Sequence, residues 1–353
     1  MNNKISNMAL ICAILVVSIH VGLSGPVHSV AWCLKEFVAE GFARIAVPFF
    51  FVVSGYFLAL RYRKSEGGFV QAWRFACWKR VRTLLVPYWF WNLCYAPLII
   101  GIEFLSDAVA GRTLRPVAWL STLGAITGID LVNGPILFPL WYVRTLFVFV
   151  MISLILWPIV RRMGLCVPVL FYAISIALMR MGITLPNAFP MDGLAYFSLG
   201  LCIACGWHFS VPKTVSTILV LIALFAGGVM KWVRPEVNII SWWVPLMLLG
   251  AWGIMPSWPF PREIAMFAFP IYALHMFVLL GLQYAWHLTA FMPDAVEFLF
   301  RWSVAVGGSC LIAREYWRAF HHDWLLSHLE DVLKWRELKY RLPQTRDISL
   351  GYL

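Results

Sequence analysis

The chain has 353 residues, of which 61% are hydrophobic and only 13% are charged. A soluble domain cannot bury that much apolar surface, so the composition excludes soluble enzymes and soluble binding modules and indicates a polytopic membrane protein. In a soluble protein the net charge of +11 would suggest nucleic acid. Here it reflects lysine and arginine retained on the cytoplasmic side, and no nucleic-acid partner is predicted.

Apolar runs are the repeating unit of the sequence, and they are counted as candidate spans because about 20 residues cross the hydrocarbon core of a bilayer. The runs are Met8–Leu23, Gly41–Leu60, Thr83–Gly101, Ile136–Val160, Leu165–Met181, Gly193–Trp207, Val215–Met230, Ile239–Met255, Ile264–Trp286 and Val296–Ala313. They predict an all-α fold, a polytopic membrane helix bundle with about ten transmembrane helices surrounded by membrane lipids.

The distribution of lysine and arginine predicts that both termini are cytoplasmic, because positive residues accumulate in cytoplasmic loops. With this orientation, Arg61–Arg82 is a basic cytoplasmic loop, and Ile102–Pro135 is an external loop with room for a short helix. We expect a transmembrane domain over residues 1–313. Residues 314–353 combine apolar residues at a spacing of three and four with basic residues, which predicts a cytoplasmic amphipathic tail.

Two ionisable residues in the first two spans are candidates for chemistry. His20 closes the first run, where a neutral imidazole could take a proton from a hydroxyl group; the alternative is a histidine hydrogen-bonded between helices. Arg44 opens the second run and could orient an anionic group or a sugar, although an arginine at this position can also extend to the interface.

A second set of candidates lies at and beyond the other end of the second run. Arg61, Arg80 and Arg82 are expected at the inner mouth, where they could bind phosphates or simply mark the cytoplasmic side. The sequence Ser54-Gly55-Tyr56 lies deeper, where a glycine permits close approach of either a ligand or a packed helix.

Polar residues in two later runs indicate a cavity through the bundle. Arg144 follows Trp141 and is expected about 12 Å below the outer end of its span, so it needs a partner or a watery cavity. Tyr272 and His275 lie in the middle of the ninth run. No metal-binding motif and no disulfide framework is present, and Cys202-x-x-Cys205 reads as helix packing.

Together, these segments resemble the acyltransferase 3 family of membrane-bound O-acyltransferases. The resemblance covers nearly the whole chain and depends on the order and spacing of several short motifs. These are Val16–His20, Pro48–Leu58, Lys79–Arg82, Val86–Tyr88, Leu140–Arg144, Tyr196–Gly200 and Ile271–His275.

The resemblance implies a bacterial inner-membrane enzyme that moves an acyl group, usually acetyl, from cytoplasmic acetyl-CoA to a hydroxyl of a surface polysaccharide or lipid-linked glycan. It implies that His20 is catalytic. One departure is that the family commonly has an arginine about three turns before this histidine, where the present chain has Met8–Leu10.

The resulting hypothesis assigns a role to each group. Arg80, Arg82 and Arg61 bind the CoA phosphates, and the acyl arm passes Ser54-Gly55-Tyr56. His20 deprotonates the acceptor, while Arg144 or Arg44 stabilises the oxyanion. Trp141, Tyr272 and His275 line the substrate path. The competing hypothesis is a non-catalytic transporter or flippase of a glycan or lipid-linked sugar, which needs no acyl donor.

Overall fold

A computed structural model of the chain describes residues 3–22, 25–109, 111, 119–130, 132, 134–206, 211–233, 240–255, 267–285 and 292–320. These residues form helices and connecting segments, with no β-strand among them. Ten of the described helical segments are apolar, and each overlaps one of the predicted runs. The prediction of an all-α membrane helix bundle is confirmed.

The ten apolar helices fall into two length classes. Five are long and apolar enough to cross a membrane: Val30–Lys64, Phe69–Val109, Phe138–Met163, Lys213–Met230 and Asp294–Glu315. Five are shorter: Lys4–His20, Cys166–Arg180, Met191–Ala204, Trp243–Ile254 and Ala268–Gln283. The chain is therefore a multi-pass membrane protein, with several helices below the roughly 20 residues of a full crossing.

The chain divides into two compact units. The first is formed by the two ends of the chain, residues 1–23 and 256–353. Among its described residues it contains α1 (Asn3–His20), α12 (Ala268–Tyr284) and α13 (Asp294–Phe320), which pack against one another. The indole Nε1 of Trp302 on α13 donates to the carbonyl of Ile14 on α1 at 2.9 Å. The helix α13 continues past residue 314, and the rest of the predicted tail lies outside the described residues.

The second unit covers residues 24–255. Its helices are α2 (Val30–Leu34), α3 (Ala46–Lys64), α4 (Phe69–Arg80), α5 (Val86–Val109), α6 (Trp119–Thr127), α7 (Trp141–Met163), α8 (Cys166–Arg180), α9 (Met191–Ala204), α10 (Lys213–Val233) and α11 (Ile240–Ile254). A π-helical turn, Lys35–Gly41, and a 3₁₀ turn, Phe42–Ile45, connect α2 to α3. A second π-helical turn, Val81–Leu85, connects α4 to α5.

Two loop predictions have different outcomes. Most of the predicted loop Arg61–Arg82 is helical, because α3 continues to Lys64 and α4 begins at Phe69. Charged residues interrupt the apolar pattern of the sequence here without ending the helix. The cytoplasmic position of this segment stays a prediction. The expected short helix in the following loop is confirmed as α6, while α5 extends to Val109.

Candidate functional site

The first candidate group is a pair of imidazoles in the first unit. His20 is the last residue of α1, and its ring centroid lies 5.1 Å from that of His275 on α12, with the ring planes tilted by 38°. Tyr272 lies about one turn before His275, with its ring centroid 6.4 Å away, and both residues are buried. The structure therefore brings together three residues that the sequence singled out separately.

The hydrogen bonding of His275 fixes its tautomer. Its Nδ1 lies 3.0 Å from the carbonyl oxygen of Ile271, one turn earlier on the same helix. A carbonyl only accepts hydrogen bonds, so Nδ1 carries the proton and Nε2 of the neutral ring has a lone pair. This Nε2 is buried and has no hydrogen-bond partner among the described residues. It can therefore accept a hydrogen bond or a proton from a bound substrate.

The second candidate group is a cluster of cations in the second unit. Arg61 of α3 interacts electrostatically with both Lys79 and Arg80 at the end of α4. Arg80 also interacts with the hydroxyl group of Tyr142 on α7, which lies 3.4 Å from Oγ of Ser54. Like charges repel most where water is scarce, so this cluster favours an anionic ligand.

The residues next to the cation cluster pack alongside α7. Tyr62, next to Arg61, has its hydroxyl 2.6 Å from Oγ of Ser153, about two turns before the basic end of α7. On α4, Nε1 of Trp73 donates to the carbonyl of Val150 at 3.1 Å. The position of this cluster at the inner mouth stays a prediction.

The remaining basic residues of this region have other neighbours. The guanidinium of Arg82 lies 5.3 Å from the ring centroid of Trp78, and its side chain is exposed. Arg63 donates to the carbonyl of Ala204 at the end of α9. Of the three arginines predicted to bind the donor, the structure groups Arg61 and Arg80 and adds Lys79.

The glycine of the predicted Ser54-Gly55-Tyr56 segment is a helix-packing residue in this structure. A Cβ atom at Gly55 would collide with the carbonyl oxygen of Phe197 on α9, and one at Gly200 would collide with the carbonyl oxygen of Val52. The two glycines let α3 and α9 approach backbone to backbone. Tyr56 is half-buried beside Phe57. Their contact with a donor stays a prediction.

Arg144 lies in the first turn of α7, which begins at Trp141. Its expected depth in the membrane stays a prediction. Arg144 is 2% exposed. Its guanidinium donates to the carbonyl of Asp130 and, at 3.0 Å, to Oδ1 of Asn187. The expectation that this arginine needs partners is confirmed, and those partners hold two connecting segments to α7.

Arg44 forms an ion pair with Glu40, one turn earlier, with Nε 3.0 Å from Oε2. Trp141 is half-buried, with its ring centroid 6.4 Å from that of Phe51. The proposed roles of Arg44 in oxyanion stabilisation and of Trp141 in the substrate path stay predictions. In the described part of the chain, no group of three metal-ligating side chains is placed to hold a metal ion.

Sequence reasoning missed several partners of the candidate residues. Glu40 could have been found from its spacing of four residues to Arg44, which places both on one helix face. Lys79 adjoins Arg80 in the sequence, and this adjacency is the signal for its place in the cluster. Tyr142 lies inside the motif Leu140–Arg144, but its neighbours in the sequence do not indicate a contact with Ser54. Asn187 lies in a connecting segment and gave no signal.

Comparison with known proteins decides the family. The acyltransferase domain of the acyltransferase 3 family matches residues 3–314. The chain belongs to this family. Its expected membership and the general class of acyltransferase are thereby confirmed.

One curated relative adds a biological context. The chain is 24% identical over 237 residues to the succinoglycan biosynthesis protein ExoH of Rhizobium meliloti (strain 1021). The alignment covers 64% of this chain and 59% of the relative, so the chain spans less than two thirds of that protein. No solved structure gives a significant match to the chain.

Proposed function

We propose that the chain is an integral membrane O-acyltransferase that moves an acetyl group from acetyl-CoA to a hydroxyl of a cell-surface polysaccharide or lipid-linked glycan. The observation that carries the proposal is the pairing of the His20 and His275 rings, because the acceptor hydroxyl needs a base and the buried Nε2 of His275 has a lone pair that can hold the glycan beside His20. The family and the relative from succinoglycan biosynthesis support an acyl donor and a glycan acceptor.

The proposed reaction begins with proton transfer from the acceptor hydroxyl to His20. The hydroxyl oxygen attacks the thioester carbonyl, so that a C–O bond forms and the C–S bond breaks. The proton on His20 then passes to the thiolate, which leaves as free CoA. A general base of this kind contributes about 10²–10⁴ in rate. A route through an acyl group on His20 has the same overall balance.

The second imidazole has a positioning role in this proposal. The hydrogen bond from Nδ1 of His275 to the carbonyl of Ile271 fixes the orientation of the ring. Nε2, on the other side of the ring, can then accept a hydrogen bond. An acceptor at a fixed position can hold one hydroxyl of the glycan so that a neighbouring hydroxyl, the one that reacts, points its own proton at His20. His20 is therefore the proposed base, and His275 the proposed group that orients the hydroxyl.

The cation cluster of Arg61, Lys79 and Arg80 is the proposed site for the phosphates of acetyl-CoA. Three adjacent positive side chains match the several negative charges of the donor, and guanidinium groups bind phosphate oxygens through paired hydrogen bonds. The hydroxyl groups of Ser54 and Tyr142 beside Arg80 offer further hydrogen bonds. A resident metal ion has no part in this proposal.

The proposed location is the bacterial inner membrane, with both termini in the cytoplasm. Basic residues at the ends of α3 and α7, Arg61–Lys64 and Arg161–Arg162, support this orientation. The proposed cytoplasmic tail, residues 314–353, belongs to the same side. Reporter fusions after Arg346 should read as cytoplasmic, and fusions near Arg112 as external; the opposite pattern would separate the donor site from cytoplasmic CoA.

Two measurements test the proposed function. Mass spectrometry of surface glycans should show acetyl-sized mass differences that disappear when the gene is deleted. Purified protein in lipid nanodiscs should transfer radiolabel from acetyl-CoA to a glycan extracted from the deletion strain. Loss of glycan export without any acyl transfer would instead identify a transporter or flippase, and a succinyl-sized difference would replace the proposed donor.

A further inference from the structure

Helix α4 carries aromatic and polar side chains together on its exposed surface. Its small residues Ala72 and Ala76 are buried. The exposed side chains include two polar or basic ones and two aromatic ones: Gln71, Arg74, Phe75 and Trp78. An amide and a guanidinium are costly against hydrocarbon, so this surface is not of the kind that faces lipid tails. Its aromatic rings therefore call for another partner.

Guanidinium groups stack on both of these rings. The Cζ of Arg61 lies 5.0 Å from the ring centroid of Phe75, and the Cζ of Arg82 lies 5.3 Å from that of Trp78. A cation over an aromatic face is attracted by the charge distribution of the ring. Phe75 nevertheless remains 47% exposed, so part of its ring is open to a ligand. The pair of Arg61 and Phe75 is thus a flat, positively charged surface.

The same pair adjoins the cation cluster. Arg61 interacts electrostatically with Lys79 and with Arg80 at the end of α4. The N–H groups of a guanidinium lie in its plane and can donate to phosphate oxygens while its face remains stacked on a ring. The ring of Phe75 is therefore one side chain away from the proposed phosphate site.

The charge around this surface favours an anion. Glu66 is the only acidic residue between Arg61 and Ile102 in the sequence, so α4 itself has none. Arg74, directly before Phe75, is exposed and adds a further positive charge. A ligand that suits both the ring and the charges is flat in one part and negatively charged in another.

Two kinds of acyl thioester could supply the acyl group of the proposed reaction. Acyl-CoA and acyl carrier protein present the same phosphopantetheine arm, but only CoA carries an adenine nucleotide. One ribose joins its adenine to its phosphates, so a surface that binds the base must adjoin one that binds phosphates. Nucleic-acid bases stack on aromatic side chains and on guanidinium planes.

We propose that Phe75 and Arg61 form the binding surface for the adenine of the donor, so that the enzyme uses acyl-CoA and not acyl carrier protein. The base stacks on the exposed part of Phe75, beside Arg61, while the cation cluster binds the phosphates. The inference rests on the proposed function, because it places one part of the same donor. The pair of Arg82 and Trp78 is not chosen, because Arg82 lies outside the cluster.

An anionic membrane surface is the competing partner for this side of α4. Helices that lie on membranes insert aromatic and aliphatic side chains among the lipids and keep their basic groups at the headgroups. The nucleotide is favoured because the guanidinium of Arg61 covers part of the Phe75 ring and would have to enter the membrane with it.

The test measures nucleotide binding without acyl transfer. Full-length protein in nanodiscs of neutral lipid is titrated with adenosine 3′,5′-bisphosphate and with an abasic tetrahydrofuran analogue that has the same two phosphates. We expect the parent to bind the nucleotide at least about tenfold more tightly than the analogue, the gain expected for one stacked base. Phe75→Leu should remove most of this preference, and Phe75→Trp should keep it.

The second stacked ring supplies the matched control. Trp78 lies on the same helix, is 46% exposed and also lies beneath a guanidinium, so Trp78→Leu should keep the preference of the parent. If Phe75 only holds Arg61 in place, Phe75→Leu should weaken the binding of nucleotide and analogue equally, which would overturn the inference. A larger loss in Trp78→Leu, or no preference in the parent, would overturn it too. So would loss of nucleotide binding when phosphatidylglycerol replaces the neutral lipid.

Transfer assays distinguish this inference from the proposed function. His20→Gln should bind adenosine 3′,5′-bisphosphate as tightly as the parent while failing to transfer acetyl groups. Nucleotide preference in a parent protein that transfers no acyl group would support the base site and contradict the proposed function. Efficient transfer from acetylated acyl carrier protein, unchanged in Phe75→Leu, would contradict the base site and keep the acyltransferase with another donor.

Discussion

The ring of His20, at the end of the first helix, lies 5.1 Å from the ring of His275, which is more than two hundred residues later in the chain. Nδ1 of His275 is committed to the carbonyl of Ile271, whereas its Nε2 has no partner among the described residues. A buried polar atom normally has a hydrogen-bond partner, so an unsatisfied one calls for an explanation. A substrate hydroxyl would satisfy it.

Replacing His20 tests the base directly. We expect His20→Gln and His20→Ala both to reduce acetyl transfer by about 10²–10⁴, because neither side chain can take a proton near neutral pH. Glutamine occupies similar space and still forms hydrogen bonds, so it should keep α1 packed. Transfer rates and the amount of folded protein in the membrane are measured together, after the parent has been shown to be active.

The pattern of the two His20 variants separates catalysis from helix packing. If His20 only connects helices, the glutamine variant should keep its activity and the alanine variant should be lost from the membrane. An active glutamine variant at normal abundance would exclude His20 as the base, and His275 would then be the next candidate.

Replacing His275 distinguishes its two nitrogens. The amide nitrogen of Asn can occupy the position of Nδ1 and donate to Ile271, whereas Gln places its amide near the position of Nε2. If Nε2 orients the acceptor, we expect activity to fall in the order parent, His275→Gln, His275→Asn at equal membrane abundance. If only the bond to Ile271 matters, His275→Asn should be the more active variant. Initial rates at saturating acetyl-CoA give the order.

The helical architecture could be predicted because it depends on local composition. Each run of apolar residues became a helix, since backbone groups in lipid must be satisfied within their own segment. The basic residues Lys79 and Arg80 lower the hydropathy of their segment, yet they lie on helix α4, because charged side chains do not break hydrogen bonding within a helix.

The pairing of side chains could be predicted only where it is local. Glu40 and Arg44 are four residues apart, so their contact follows from helix geometry. The contacts of Arg144 with Asn187 and of Ser54 with Tyr142 join distant segments. They depend on how the helices pack, which a single sequence does not specify.

The cation cluster predicts a phosphate-specific loss. We expect Arg61→Ala and Arg80→Ala each to raise the KM for acetyl-CoA by about tenfold or more, since a hydrogen bond to a charged group contributes about 1.5–3 kcal/mol. Arg82→Ala should have a smaller effect, because Arg82 lies over Trp78 outside the cluster.

The donor itself supplies the control for this measurement. S-acetylpantetheine carries the same thioester without the nucleotide phosphates, so its KM should be nearly equal in the parent and both cluster variants. An equal loss with both donors would mean that the arginines support the fold and do not bind phosphates.

Because α3 and α9 are in close contact, we predict that adding a single methyl group between them destabilises the protein. We expect Gly55→Ala and Gly200→Ala each to destabilise the protein by about 1–3 kcal/mol, because the added Cβ would overlap backbone atoms of the facing helix. Gly101→Ala on α5 is the matched control: its Cβ would meet nothing within 4 Å. Thermal unfolding in detergent compares the three variants. Equal midpoints would show that the two helices can separate without cost.

Arg144 offers a test between a positioning role and oxyanion stabilisation. Its guanidinium joins the carbonyl of Asp130 and the amide oxygen of Asn187, a fork that lysine cannot reproduce. If this network only positions the connecting segments, Arg144→Lys and Asn187→Ala should lower stability by similar amounts, with similar small losses in kcat, and the double variant should add little. If Arg144 also stabilises the oxyanion, Arg144→Lys should lower kcat about a hundredfold, while Asn187→Ala should not.

We expect the first pattern, because the bonds already commit the guanidinium to protein acceptors. A kcat loss confined to Arg144→Lys would overturn that expectation and return Arg144 to the catalytic group.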